Sequence, residues 1–318
     1  MRSIGSMDQL RVRAETHGFF TRTEALTAGH DDQSIRRAIR VGAWRRVRAG
    51  AYTCPDLWPQ DPRLQHLVVA YAALAKLGER VALSHTSAAV AHGLSLWDPD
   101  LSRVHVTRTD GGAGRTEAGV VHHEGLLLPS DLVRVGARAM TAPVRAALEA
   151  ASLTSAEGAV VILDSLLHLE LADRAALDEC YAYMQSWPEF RALRIPVLLA
   201  DGRAESVGES RARYLFFRHG LPAPQPQFEV RDERGRLVGT TDFGWPEHRL
   251  LGEFDGRVKY ERYLRDGETP GDAVFREKKR EDRLCEITGW RMVRLVWSDL
   301  YDGPGTAARV GHLLGRTA

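Results

Sequence analysis

Glycines at 18, 29 and 42 cut the first fifty residues, MDQLRVRAETHGFFTRTEALTAGHDDQSIRRAIRVGAWRRVRAGAYTC, into three stretches too short for anything but small helices. A glycine just past a periodic run ends a helix, because it tolerates the left-handed conformation that the C-terminal cap needs. The first helix is expected over Asp8–His17. Thr21 caps a second over Arg22–Ala28, and Asp31 or Asp32 caps a third over Gln33–Val41. Trp44-Arg45-Arg46-Val47 and Ala51-Tyr52-Thr53 then read as two short strands around Arg48-Ala49-Gly50. Three short helices followed by a hairpin make a winged helix-turn-helix, whose third helix enters the major groove of double-stranded DNA.

Charge agrees with that geometry. Over the whole chain the formal net charge is only +1, yet residues 1–52 hold ten arginines against five acids. Such a local surplus in a near-neutral chain points that end at an anionic partner. Ile35 and Ile39, four apart, turn one face of the third helix to the core. That leaves Arg36, Arg37 and Arg40 outward, with Arg45, Arg46 and Arg48 on the wing, as the candidate DNA contacts. No apolar run can span a bilayer, since HLVVAYAALAKLGERVAL is broken by Lys76, Glu79 and Arg80. The N-terminus lacks the apolar core of a signal peptide, and the three cysteines form neither a CxxC pair nor a disulfide framework. The expectation is a cytoplasmic protein without a membrane partner.

G-F-F-T-R-T-E-A-L and S-I-R-R-A-I-R-V-G-A-W-R-R-V-R-A-G-A-Y resemble the N-terminal domain of AbiEi-type antitoxins of type IV toxin–antitoxin systems. The resemblance implies DNA binding, repression of the protein's own operon, a cognate toxin as partner and a place in phage defence. ALSHTSAAVAHGL and MTAPVRAALEAA continue the likeness through the middle of the chain.

The prolines at 55, 59 and 62 read as a stiff linker into a mixed α/β middle domain, expected over residues 60–200. There, residues 82–98 read as a helix ending at Gly93. Arg103–Arg108 reads as a strand, Thr109–Gly119 as a glycine-rich loop, and Gly119–His123 as that strand's hairpin partner. His85 with Ser84, and His105 with His122, His123 and Glu124, lack the spacing of zinc or nucleophile motifs, so they read as surface or cross-strand residues. Asp164, on an apolar helix, reads as a capping or interface acid.

The last third, expected as a domain over 204–318, opens with a helix (Ser206–His219) that Gly220 and the prolines at 222, 224 and 226 stop. Strands at Gln227–Arg231, Arg236–Phe243 and Arg249–Phe254 come next. A charged helix over Ala273–Thr288, a strand at Trp290–Trp297 and a helical tail complete it. In LLGEFDGRVKY (250–260), Glu253 and Asp255 share one strand face, while Phe254 takes the other. Asp242 ends the preceding strand, so Asp242, Glu253 and Asp255 converge. Three carboxylates repel unless a cation neutralises them, and Mg²⁺ or Mn²⁺ takes such oxygen ligands.

T-D-F-G-W-P-E, G-E-F-D-G-R-V-K-Y, F-R-E-K-K-R-E-D and G-W-R-M-V-R-L-V-W-S-D-L resemble the PD-(D/E)XK, restriction-endonuclease-like fold, and within it the Vsr-like branch. Under that resemblance Asp242 and Glu253 are the metal-binding acids, and Glu209 takes the position of a helix glutamate. Asp255 stands where the catalytic lysine is expected, leaving Lys259 or Lys278 to supply the ammonium. The expected fold class is therefore α/β (α+β) multidomain: a winged helix over 1–55, a mixed middle domain, and an αβββαβ C-terminal domain. Two functions are compatible with it. One is a DNA-binding protein with a Mg²⁺-dependent endonuclease-like domain. The other is an antitoxin-like autoregulator whose nuclease-like domain is catalytically inactive. A homodimer is compatible with both.

Overall fold

The computed structural model describes residues 4–136, 138–256 and 270–315. The chain divides into two compact units, Met1–Leu94 with Asp98–Leu153, and Ser95–Trp97 with Thr154–Ala318. The division falls within the segment expected as a single middle domain.

In the first unit, α1 (Ile4–His17), β1 (Phe20–Thr21), α2 (Arg22–Thr27), α3 (Asp32–Arg40), β2 (Arg45–Arg48) and β3 (Ala51–Thr53) form the winged module, its sheet ordered β1-β3-β2. Both α2 and α3 start on a reciprocal cap. The Thr21 hydroxyl accepts from the Glu24 amide while Glu24 Oε2 accepts from the Thr21 amide at 2.7 Å, and Asp31 exchanges the same pair of bonds with Ser34. Helices this short do not persist without such caps and a core to pack on. The core is Leu10, Ala14, Phe20, Ala25, Ile35, Trp44 and Tyr52, centred on fully buried Phe20 with its ring edge-on to Trp44 at 4.8 Å.

The prolines at 55–62 do not separate this module from the next helix. Pro62 is the first residue of α4 (Pro62–Leu77), capped by Asp61. Phe19 and Ala51 of the winged module pack against Val68 and Ala72 of that helix. Gly18 marks how close the approach is. Its φ is +84°, and a Cβ there would lie 2.7 Å from Val68 Cγ2.

A six-stranded mixed sheet, ordered β6-β7-β5-β4-β9-β8, completes the unit: β4 (Val81–Leu83), β5 (Val104–Arg108), β6 (Arg115–Glu117), β7 (Val120–His123), β8 (Leu132–Val135) and β9 (Arg138–Thr141), with α5 (His85–Ala91) and α6 (Pro143–Ala151). The helix expected from residue 82 is instead a strand followed by a helix. Val81, Ala82 and Leu83 are buried on both faces of a central strand, antiparallel to β5 and parallel to β9, and the helix starts only at His85. The hairpin expected between residues 103–108 and 119–123 is also different. Ala118 (φ 49°) and Gly119 (φ 77°), adjacent left-handed residues, close β7 onto β6, which leaves β7 parallel to β5.

The second unit begins with α7 (Ala156–His168), α8 (Arg174–Met184) and α9 (Arg194–Leu199). It continues as α10 (Val207–Arg218), β10 (Gln225–Arg231), β11 (Leu237–Trp245), β12 (Leu250–Asp255), α11 (Pro270–Thr288), β13 (Arg291–Val296), α12 (Trp297–Tyr301) and α13 (Gly303–Leu313). The sheet runs β10-β11-β12-β13, antiparallel up to β12, with β13 added parallel to it. Phe216, Phe243, Trp245, Leu250, Phe254 and Leu295 form its core.

Asp164 of α7 is fully buried. Its carboxylate accepts from Arg213 Nη1 of α10 at 2.6 Å and from the Asp201 amide at 2.7 Å, while burial pushes its pKa up to about 6. Removing one partner of a buried pair strands the other charge, at a cost of roughly 3–5 kcal/mol. Arg213→Ala is therefore expected to lower the unfolding free energy of the second unit, read from urea titration, by about that amount. The double variant Asp164→Leu with Arg213→Met is expected to recover most of the loss.

Candidate functional site

On α3, Ile35 is buried and Ile39 packs against the winged core, which turns Arg36, Arg37 and Arg40 to solvent. Arg45 and Arg46 are exposed on β2, the Arg45 guanidinium lying 4.5 Å above the ring of Trp58. An irregularity in the β2–β3 register between Arg46 and Arg48 turns Arg48 inward. Burial lowers the Arg48 pKa, and its Nε has no hydrogen-bond partner among the described residues.

The other arginines of the module are engaged. Arg22 donates twice to Asp32, at 2.9 and 2.8 Å. Arg11 reaches Asp56 and Glu15, and Arg13 reaches Glu24 at 2.7 Å. Arg36, Arg37, Arg40, Arg45, Arg46 and Arg48 form no ion pair among the described residues. The positive surplus is thus concentrated on the third helix and the wing, leaving the first two helices neutralised. Counting charges along the chain finds the surplus but not this partition, because Asp32 and Asp56 are matched to arginines ten and forty-five residues away.

In the second unit, β11 and β12 place the acids where the strand reading expected them. Phe243 pairs with Gly252, so Asp242 and Glu253 occupy the next rung, and Phe254 is buried on the opposite face. Their partners are protein groups. Asp242 Oδ2 accepts the Phe254 amide at 2.7 Å. Arg280, from α11, donates to Glu253 Oε1 at 2.8 Å and also to the Thr240 carbonyl. Arg294 of β13 lies 3.6 Å from Asp255 and is bonded to Glu281. Two guanidiniums thus supply the positive charge that three neighbouring carboxylates require. Among the described residues no group of three or more His, Cys, Asp or Glu side chains is disposed to hold a metal ion.

Glu209 is 3% exposed and closes the start of α10, accepting from the Glu205 amide, the Ser206 hydroxyl and the Gln227 side-chain amide. Lys278 is exposed on α11, two residues before Arg280 and so about 200° around the helix from the side that meets the sheet. Lys259 lies outside the described residues. Arg280 was not singled out in the sequence, where it is one cation in an alternating charged run, 27 residues from its acid.

A second polar cluster lies inside the first unit. The rings of His85 and His123 stack at 3.6 Å between centroids, and His105 Nδ1 is 2.9 Å from His123 Nε2. The His85 amide donates to Glu149 Oε2, and Arg145 Nε donates to Glu149 Oε1 at 2.8 Å. His85 and His105 are each 8% exposed, which corrects the expectation of surface residues, although the cross-strand part holds for His105 and His123 on paired strands. Burial, together with the neighbouring imidazoles, holds the His85 pKa well below its ordinary value and lowers that of His105 to about 4.

Residues 7–55 match a family described as transcriptional regulator, AbiEi antitoxin. The match coincides with the winged module, α1 to β3. Over nearly its whole length the chain is similar to the uncharacterized proteins MT2308 and Rv2248 of Mycobacterium tuberculosis strains CDC 1551 and H37Rv. Each is 29% identical over 287 residues, covering 89% of this chain and 97% of the relative. Among solved structures, the RV2827C protein of Mycobacterium tuberculosis aligns over 67% of this chain and 82% of its own with 16% identity and a TM-score of 0.39. Among the described residues no helix is long and apolar enough to cross a membrane.

The histidine cluster sets a pH response. A histidine whose folded pKa is depressed contributes stability that is fully present above the unfolded value near 6.5. That stability is lost as pH falls towards the folded value. Urea unfolding of the chain should therefore show stability falling between pH 6.5 and 4, by on the order of 2–3 kcal/mol through His105. His105→Gln should flatten that fall.

Proposed function

We propose that the chain is a DNA-binding transcriptional regulator of the antitoxin kind, repressing its own operon and partnered by a cognate toxin, in a phage-defence setting. Three observations support this: the family match over residues 7–55, the winged architecture, and the exposed guanidiniums of Arg36, Arg37, Arg40, Arg45 and Arg46. The last carries the reading. An arginine set on a third helix and its wing without ion-pair partners among the described residues is what phosphate oxygens and guanine edges require, because each contact made is not subtracted from an internal salt bridge. In this reading α3 enters the major groove and the wing arginines lie along the backbone.

The β10–β13 unit with α10 and α11 is, in the same reading, a Vsr-like PD-(D/E)XK domain that no longer cuts. Two features favour loss of cleavage over a Mg²⁺- or Mn²⁺-dependent endonuclease. Arg280 occupies Glu253, one of the two acids such an enzyme would use for metal, and an aspartate, Asp255, stands at the lysine position.

The test is binding of the purified chain to a fragment carrying its own promoter. Replacing Arg36, Arg37 and Arg40 together by alanine is expected to weaken binding by two orders of magnitude or more, at about 1–3 kcal/mol per base-directed contact. Unchanged affinity in the triple variant would remove α3 from the interface. Supercoiled plasmid incubated with the chain and Mg²⁺ or Mn²⁺ is expected to stay intact. Cleavage that disappears in both Asp242→Ala and Glu253→Ala would establish the endonuclease instead.

A further inference from the structure

The first unit holds a cavity of about 450 Å³ between the winged module and the six-stranded sheet, within the size range of small-molecule sites. The end of α1, the start of α2, α4, and the β8 and β9 strands all contribute to it, and its walls are mostly apolar. Three guanidiniums line it. Arg13 is held by Glu24 at 2.7 Å and Arg134 by Glu79 at 3.3 Å, and both of those acids line the cavity too. Arg138 has no carboxylate partner among the described residues. Its guanidinium lies over the ring of Tyr71, 3.8 Å from the centroid. The cavity therefore combines one uncompensated positive charge, fixed on an aromatic face, with an apolar interior.

We infer that this cavity binds a small organic monoanion with an apolar body, its carboxylate on Arg138 and its body against the apolar walls. Guanidinium and carboxylate match in shape and can form two parallel hydrogen bonds, which inorganic monoatomic anions cannot use. The apolar walls select against acetate-sized ions, because most of the binding free energy of a small ligand then comes from buried apolar area.

The site is wired to the DNA-binding elements, and this part rests on the function proposed above. Glu24, which holds Arg13 at the cavity wall, is also the reciprocal cap of α2 with Thr21. Thr21 pairs in turn with Ala51 of the wing strand, and the Arg22 amide donates to the Gly50 carbonyl at 2.8 Å. Thr21 and Glu24, the two halves of that cap, both line the cavity, so an occupant that displaces either loosens the start of α2 and the strand pair that anchors the wing. Occupancy therefore lowers DNA affinity, and by reciprocity DNA lowers affinity for the anion by the same factor.

The test uses the full chain and benzoate as the probe. Calorimetry should show one benzoate site per chain, with benzamide and acetate each binding at least tenfold more weakly. Arg138→Ala and Arg138→Gln, each checked for unchanged far-ultraviolet circular dichroism, should both lose about tenfold or more, the size of a charge-assisted hydrogen bond. No benzoate binding at millimolar concentrations, or equal affinity in both folded variants, would overturn the site. Saturating benzoate should then reduce affinity for the promoter fragment about fivefold or more. Benzoate bound with promoter affinity unmoved would overturn the coupling. Failure of the chain to bind promoter DNA even without benzoate would count against the proposed function alone, since calorimetry tests the cavity independently.

Discussion

A guanidinium taken out of water needs a partner for its charge, and pairing with buried carboxylates organises both units. Only four of the 43 basic side chains are lysines, at 76, 259, 278 and 279, so nearly every cation here is a planar fork that asks for matched partners. Arg145, 1% exposed, is satisfied by Glu149 and Asp131 and so ties α6 to the loop before β8. Arg213 is satisfied by Asp164, which ties α10 to α7. Arg211 is paired with Glu157 and stacked 3.8 Å from the centre of the Trp97 ring, holding the short 95–97 segment within the second unit. Breaking any of these strands a charge in low dielectric, which is costlier than losing a surface pair. The arginines of α3 and β2 stand outside this rule. They form no ion pair among the described residues, and most of them are exposed.

The same pairing rule changes what the β11–β12 acids mean. Three carboxylates along one strip of sheet are unstable alone, and the two ways out are a divalent cation or arginines. Asp242 is turned to the Phe254 amide, Glu253 to Arg280, and Asp255 lies near Arg294. A guanidinium at Glu253 delivers a positive charge without a Lewis acid. The strip then contributes to the sheet and its packing against α11.

What was legible in the sequence was local. Thr21, Asp31 and the glycines at 18, 29 and 42 set α2, α3 and the end of α1 to within a residue, since caps and left-handed stops act within a single turn, whereas the start of α1, which no cap marks, lies four residues before the expected Asp8. The nearness of Asp242 and Glu253 was legible for the same reason, one short turn apart. Non-local pairing was not. ALSHTSAAVAHGL begins with a buried strand because Leu83 is flanked by Val106 and Met140, neither of which local pattern reveals. The parallel placement of β7 beside β5 depends on a turn at Ala118-Gly119 that the glycine-rich loop concealed. Arg213, Arg280 and the His85–His105–His123 stack became visible only when strands and helices distant in sequence were brought together.

The central claim is that the α3 and wing arginines are available to phosphate because none of them is held in an ion pair among the described residues. The salt dependence of promoter binding tests it most directly, since each phosphate neutralised contributes about −0.9 to the slope of log affinity against log salt. A slope between about −3 and −6 per bound chain, made shallower by roughly one unit for each of Arg45 and Arg46 replaced by alanine, is the expected result. A slope near zero, or one that Arg45→Ala and Arg46→Ala leave unchanged, would contradict it.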